Sequence, residues 1–136
     1  LDTADPPAAV ADLREAIERA DAILIATPEY NHSVPGGLKN ALDWASRPFP
    51  ECAPRGKPAA VIGASTGLFG AVWAQAEVRK VLTAIGAEVI DDELPVGTAH
   101  DAFEEDGSLR DPDLQEQLRT VVRALLARVP APALAA

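Results

Sequence analysis

The chain has no methionine, one cysteine, one tyrosine and few aromatic residues, which make up 4% of its 136 positions. A single thiol, Cys52, cannot close an intrachain disulfide, so no disulfide framework holds the fold. With so few rings available, the core must be built from Ala, Val, Leu and Ile. Basic residues are scarce as well: 12 Lys and Arg against 21 Asp and Glu leave a net charge of −9. That balance cannot neutralise a run of phosphates, which argues against nucleic acid and against anionic membranes as partners. It is read as a solvated surface. No apolar run approaches the roughly 20 residues that cross a bilayer, and no basic-then-apolar leader opens the chain. A cytoplasmic enzyme or carrier is expected. His32 and His100 lack the spacing of metal ligands, so no metal is expected. The chain opens at Leu1, and with no methionine anywhere we expect further residues ahead of it.

What is present is 48% hydrophobic residues, in patterns that alternate between two periods. The length suits one domain, residues 1–136, able to bury about two-thirds of the surface its unfolded chain exposes. Asp5-Pro6-Pro7 predicts a capped helix start, followed by Val10, Leu13, Ile17 and Ala20 at helical spacing. Ala22 to Ala26 is a short continuous apolar run, the pattern of a parallel strand buried on both faces. A loop from Thr27 to Pro35 and a helix from Gly37 to Ala45 come next. Arg47 to Pro58 holds four prolines and predicts an irregular surface connection, with Cys52 as an inert surface thiol. Ala59 to Ala64 is a second buried strand, Ser65 to Gly70 a glycine-rich turn, and a long helix then runs to Ile85 with Gly86 as its carboxyl cap. A third strand begins at Glu88 to Ile90, and Pro95 to Arg110 reads as a loop. Asp111-Pro112 caps a last helix with the stripe Leu114, Leu118, Val121, Leu125 and Val129, and a Pro- and Ala-rich tail after it reads as frayed. This alternation predicts an α/β sandwich around a parallel sheet.

Ligands of such sheets bind at the carboxyl ends of the strands. Two loops leave those ends. In the first, Pro28 and Pro35 stiffen a run of large polar residues, Glu29, Tyr30, Asn31 and His32, and Gly36-Gly37 permits close backbone approach before a helix amino terminus. A flavin ring fits these properties; a loop pinned by its own Tyr and Asn fits them about as well. In the second, Ser65, Thr66, Gly67 and Gly70 suit a close approach to a polar ligand. It is neither a Walker loop nor a GxGxxG fingerprint, and most such turns are only turns.

Together the two loops carry a family resemblance. The run from Thr27 to Trp44 resembles the signature of the NAD(P)H-dependent FMN reductases, a flavodoxin-like family that includes chromate, quinone and azo-dye reductases. The family pattern Pro-x-Tyr-Asn-x-x-x-Pro-Gly-x-Leu-Lys-Asn-Ala-x-Asp-Trp is matched by Pro28, Tyr30, Asn31, Pro35, Gly36, Leu38, Lys39, Asn40, Ala41, Asp43 and Trp44. The second loop is similar to the family's Ser-x-Gly-x-x-Gly turn, with Val78-Arg79-Lys80-Val81-Leu82 behind it, and Phe103 to Leu109 and the last helix are similar too. The resemblance implies a flavodoxin-like three-layer sandwich with FMN as cofactor and NADH or NADPH as co-substrate. It implies that Pro28, Glu29, Tyr30 and Asn31 line the isoalloxazine ring, largely through backbone groups, with His32 at the rim. Ser65, Thr66, Gly67 and Gly70 complete that pocket, and no catalytic side chain is needed. Electrons would pass to quinones, azo compounds, metal oxyanions or free flavin. It also implies a homodimer or homotetramer through the helix after Pro35, with Leu38, Leu42 and Trp44 at the contact.

The family's opening strand, Ser- and Arg-rich phosphate loop, helix and second strand have no counterpart here. On the order of fifty residues would supply them, given about 30 for a strand–helix–strand unit. The expectation is a sheet apparently missing the first two strands, with an uncovered edge at Ala22 to Ala26 and weak FMN binding by the chain as it stands. Two other functions are weighed on the same residues: a flavodoxin-type electron carrier, which the acidic surface suits, and a truncated subunit without FMN. Arg47, Arg55 and His100 are expected at the surface, Asp91 to Glu93 and Glu104 to Asp106 as solvated turns, and Trp73 either at a partner contact or as a wall of the substrate pocket.

Overall fold

In a computed structural model, residues 5–130 are described. Helix α1 (Ala8–Arg19), strand β1 (Ile23–Thr27), helix α2 (Gly36–Ala45), strand β2 (Pro58–Ala64) and helix α3 (Val72–Ala84) follow in order. Two short strands, β3 (Glu88–Val89) and β4 (Pro95–Val96), precede a one-turn helix α4 (Ala99–Ala102) and helix α5 (Pro112–Leu126). All strand pairs are parallel. Strand β2 is central and pairs β1 from Ile23 with Ala59 to Thr27 with Gly63. Its other edge pairs β3 at Pro58 and Ala59 and β4 at Gly63 and Ala64.

The sequence reading of one third strand followed by a loop is thus corrected. Pro95–Val96 is sheet, and β3 and β4 share one track along β2. The main chain returns to that track through Leu94, whose carbonyl accepts from the Gly63 N–H at 3.0 Å. Between the halves, Asp91 and Asp92 stand exposed, where carboxylates could not be accommodated inside the sheet.

The two faces of β2 divide the core. Ala60, Ile90, Leu94 and Val96 pack against Val121 and Leu125 of α5 on one face. Ala59 and Val61 pack against Leu42 of α2 and Val78 and Leu82 of α3 on the other. Helices on both faces of a parallel sheet make three layers. The stripe expected on α5 is the one that turns inward, and Asp111 caps the helix through the Asp113 N–H at 2.8 Å with Pro112 in the first turn.

Several expectations are overturned here. Strand β1 is buried on one face only: Ile23 and Ile25 meet the α2–α3 layer, while Leu24 and Ala26 are exposed, because α5 reaches over β2 and stops short of β1. Leu42 is inside the core and cannot form a subunit contact. Cys52 is buried, and its thiol donates to the Ile85 carbonyl at 3.2 Å. Cys52, Ala53 and Pro54 fold beneath the carboxyl end of α3, where the Gly56 N–H meets the Gly86 carbonyl at 2.8 Å, so this stretch of the connection is core. Asp5 is not the cap of α1: Pro7 holds the cap position, and its carbonyl receives the first helical N–H groups. Helix α1 has no fully buried residue and is held by polar ties. Arg14 donates twice to the Trp44 carbonyl, at 3.1 and 2.9 Å, and the Lys57 ammonium caps the last carbonyls of α1 at Glu18 and Ala20, each at 2.7 Å. The frayed tail expected after Val129 lies, from residue 131 on, outside the described residues.

Candidate functional site

The pairing of Thr27 with Gly63 brings the carboxyl ends of β1 and β2 side by side. Both loops therefore leave the same edge of the sheet. The first is tighter than its length suggests. Tyr30 and Ser33 exchange two backbone hydrogen bonds of 3.1 Å, and between them Asn31 and His32 take φ of 53° and 59°. Left-handed conformation at both central positions is the type I′ turn that favours Asn at the first of them. Tyr30 is 61% exposed beside it.

Two carboxylates lock this hairpin to α3. The Glu29 side chain, 9% exposed, accepts from the N–H groups of Trp73 at 3.0 Å and Ala74 at 3.1 Å. Those are orphan donors of the first helical turn, and Ala71 at the cap position has no side chain to meet them. Glu29 is thus the amino-terminal cap of α3, supplied from another element, and its charge opposes the positive end of the helix dipole. Glu77 reaches the opposite way, accepting from the Ser33 hydroxyl at 2.6 Å and the Val34 N–H at 3.0 Å. The Ser33 hydroxyl, then the Val34 N–H, hold the Glu77 carboxyl below the ordinary glutamate range.

The second loop is fastened to the segment that follows β4. The Gly67 carbonyl accepts from Thr98 at 3.0 Å, and the Ser65 carbonyl from Ala99 at 2.9 Å. Gly70 has φ of +60°, and a Cβ there would stand 2.4 Å from the Pro95 carbonyl carbon, closer than real contacts allow. The glycine is required by that approach. Trp73 joins the two loops: its ring meets His32 edge-on at 4.7 Å and Phe69 at 5.3 Å. Trp73 is 41% exposed and stands between the two loops.

The chemical consequence is a set of unused donors. The N–H groups of Thr66, Gly67, Leu68, Phe69 and Gly70 meet no acceptor among the described residues, and neither do those of Glu29, Asn31 and His32. Ser65 is half-buried, and Thr66 to Phe69 are exposed. A planar ligand bearing acceptor atoms along its edge matches such a set, and the residues present fit a flavin ring in that respect. A separate apolar groove of about 640 Å³ opens on the α5 side of the sheet, floored by Ala26, Ile62, Leu94 and Val96 and bounded by Leu109 and Leu118. Of the residues expected to bind the cofactor, Pro28 alone lines it; Glu29 to His32 and Ser65 to Gly70 do not. This groove and the donor set are therefore different places.

Two residues of this region escaped the sequence reading. Gln75 is completely buried on α3, and Glu77 holds the hairpin. Gln75 could have been suspected, since it shares a helical stripe with Val78 and Leu82. Nothing in the sequence marks Glu77. No group of metal-ligating side chains occurs among the described residues, and no helix there is long and apolar enough to cross a membrane.

A parallel sheet flanked by helices on both faces, with two donor-rich loops at the carboxyl ends of neighbouring strands, defines a flavodoxin-like α/β protein. Comparison with known proteins narrows this. The family model for NADPH-dependent FMN reductase matches residues 1–101, and the chain belongs to that family. It is 46% identical over 120 residues to an NAD(P)H-dependent FMN reductase of Pseudomonas aeruginosa, covering 88% of this chain and 64% of the relative. With a quinone reductase of Pseudomonas putida it shares 43% identity over 107 residues, which is 78% of this chain and 58% of that protein. It thus spans about three-fifths of these relatives. Among solved structures, the flavoenzyme NAD(P)H:(acceptor) oxidoreductase FerB from Paracoccus denitrificans superposes with a TM-score of 0.79 at 40% identity, covering 93% of this chain and 70% of that one.

Proposed function

We propose that the protein is an NAD(P)H-dependent FMN oxidoreductase that passes electrons from a nicotinamide to quinones, azo compounds, metal oxyanions or free flavin. The single observation that carries this reading is the set of unused backbone donors on the two loops at the ends of β1 and β2. The family's signature run supplies the first of those loops. FMN, when bound, supplies the hydride chemistry. Pro28, Glu29, Tyr30, Asn31, Ser65, Thr66, Gly67 and Gly70 would line the ring, largely through main-chain groups, with His32 at the rim. Donors fixed in advance stabilise negative charge that develops on an edge atom, without reorganising as it forms. Glu29 serves by fixing the hairpin on α3, since its carboxylate is already committed to Trp73 and Ala74. No side chain is assigned as general acid or base. The names of the relatives, FMN reductase and quinone reductase, agree with this assignment.

Association into a homodimer or homotetramer belongs to the same proposal. Of α2, the exposed residues are Gly36, Gly37 and Asn40, with Leu38 and Trp44 half-buried, so the contact would use its first turn.

The experiment is steady-state oxidation of NADH and NADPH by the flavin-loaded protein, with and without a quinone. Quinone-dependent turnover without added partner proteins is expected. Flavin binding with no nicotinamide oxidation would instead favour the one-electron carrier, and absence of flavin binding the non-catalytic subunit.

A further inference from the structure

We infer that Gln75 is a positioning residue for flavin: its carboxamide sets the height of the donor-bearing turn from Thr66 to Gly70. Gln75 lies on α3 with no exposed surface, and of the residues described it is the only completely buried one with a polar side chain. Such a group is costly unless its hydrogen bonds are made. They are made in two directions. Its Nε2 donates to the Gly70 carbonyl at 3.0 Å, and its Oε1 accepts from the Leu94 N–H at 3.3 Å. The first partner ends the second loop. The second is where the main chain rejoins the sheet before β4.

One rigid amide therefore fixes the spacing between two segments that are also tied to each other above it, through Ser65, Gly67, Thr98 and Ala99. The sheet makes room for it. A Cβ at position 63 would lie 3.0 Å from both Cγ and Nε2 of Gln75 and 2.9 Å from the Ala71 Cβ. Gly63 sits in the middle strand, where glycine otherwise costs stability, and its absent side chain is the space the carboxamide occupies. An apolar side chain of the same size would fill that space as well. It would leave a carbonyl and an N–H buried without partners on either side of the turn. The five unused donors are consecutive and attached to the clamped carbonyl, so releasing Gly70 loosens all of them.

This inference rests on the flavin reading of those donors, and its test separates the two. Gln75→Leu and the unbranched, uncharged Gln75→Met are compared with the wild-type protein. Each is followed by FMN titration, by the flavin absorption band of the complex, and by amide hydrogen exchange resolved by residue. Gln75→Leu is expected to weaken FMN binding at least tenfold and to shift or broaden the band. Exchange should accelerate tenfold or more at the hydrogen-bonded amides of Leu94, Thr98 and Ala99, with β1 and α5 unchanged. Gln75→Met is expected to show the same loss for FMN and the same faster exchange, and carries the test if the leucine variant does not fold. Gly63→Ala, which crowds the carboxamide from below, should reproduce the weaker binding. Wild-type affinity and an unaltered band in Gln75→Leu or Gln75→Met would overturn the inference alone. So would unchanged exchange at Thr98 and Ala99. A wild-type protein that takes up no FMN would overturn the flavin reading and this inference with it.

Discussion

Replacing Gly70 with alanine is expected to cost about 2–5 kcal/mol of folding stability, a large part of the roughly 5–15 kcal/mol that holds a domain of this size. Two effects add. A side chain at φ of +60° is strained in itself, and its Cβ would press on the main chain at 2.4 Å from Pro95 and 2.6 Å from Val96. Main-chain atoms of a paired strand cannot move aside as the tip of a flexible side chain can. The displacement would push β4 from the Gly63 and Ala64 register and pull the Gly70 carbonyl off Gln75. Gly67 is the internal control. It lies in the same turn, yet a Cβ there meets nothing nearer than the Ser65 Oγ at 3.8 Å, so Gly67→Ala should fall within about 0.5 kcal/mol of wild type. Urea unfolding of the three proteins checks this; equal midpoints for Gly70→Ala and Gly67→Ala would contradict it.

Removal of the Glu29 carboxylate should cost about 1–3 kcal/mol, the range for losing a helix cap with charge-assisted hydrogen bonds. The cost is high for a loop residue because no substitute exists: position 71 is alanine, so the Trp73 and Ala74 N–H groups have no local acceptor. Glu29→Gln keeps an acceptor oxygen without the charge and should lose about half as much. In Glu29→Ala the hairpin remains attached through Glu77 and the His32–Trp73 ring contact, so amide exchange should rise at Trp73 and Ala74 while Ser33 and Val34 change less. Denaturation within about 0.5 kcal/mol of wild type would show that the cap is dispensable.

These two effects differ in how visible they are in sequence. Short-range physics was readable: the Asp111-Pro112 cap, the α5 stripe and the alternation of helix and strand all depend on neighbours within a turn or two. The exposure of β1 was not. Its apolar run is the same whether one face or two are covered, and only the reach of α5 decides between them. Leu42 shows the same difficulty, since an apolar position on α2 can face a partner or the core with no change in local pattern. The site was half legible. The run from Thr27 to Trp44 located the first loop, but the partners of the Glu29 carboxylate lie 44 and 45 residues away, so nothing local marks it as a helix cap. The clamp by Gln75 was hidden for the same reason, because Leu94 is 19 residues on and reaches it only through the break between β3 and β4.

The central claim is that FMN meets the donors of these two loops. Backbone amide mapping of the labelled protein during FMN titration tests it most directly. The account predicts saturable shifts concentrated at 29–32 and 66–70. No shifts, or shifts confined to the apolar groove around Ile62, Leu109 and Leu118, would contradict it.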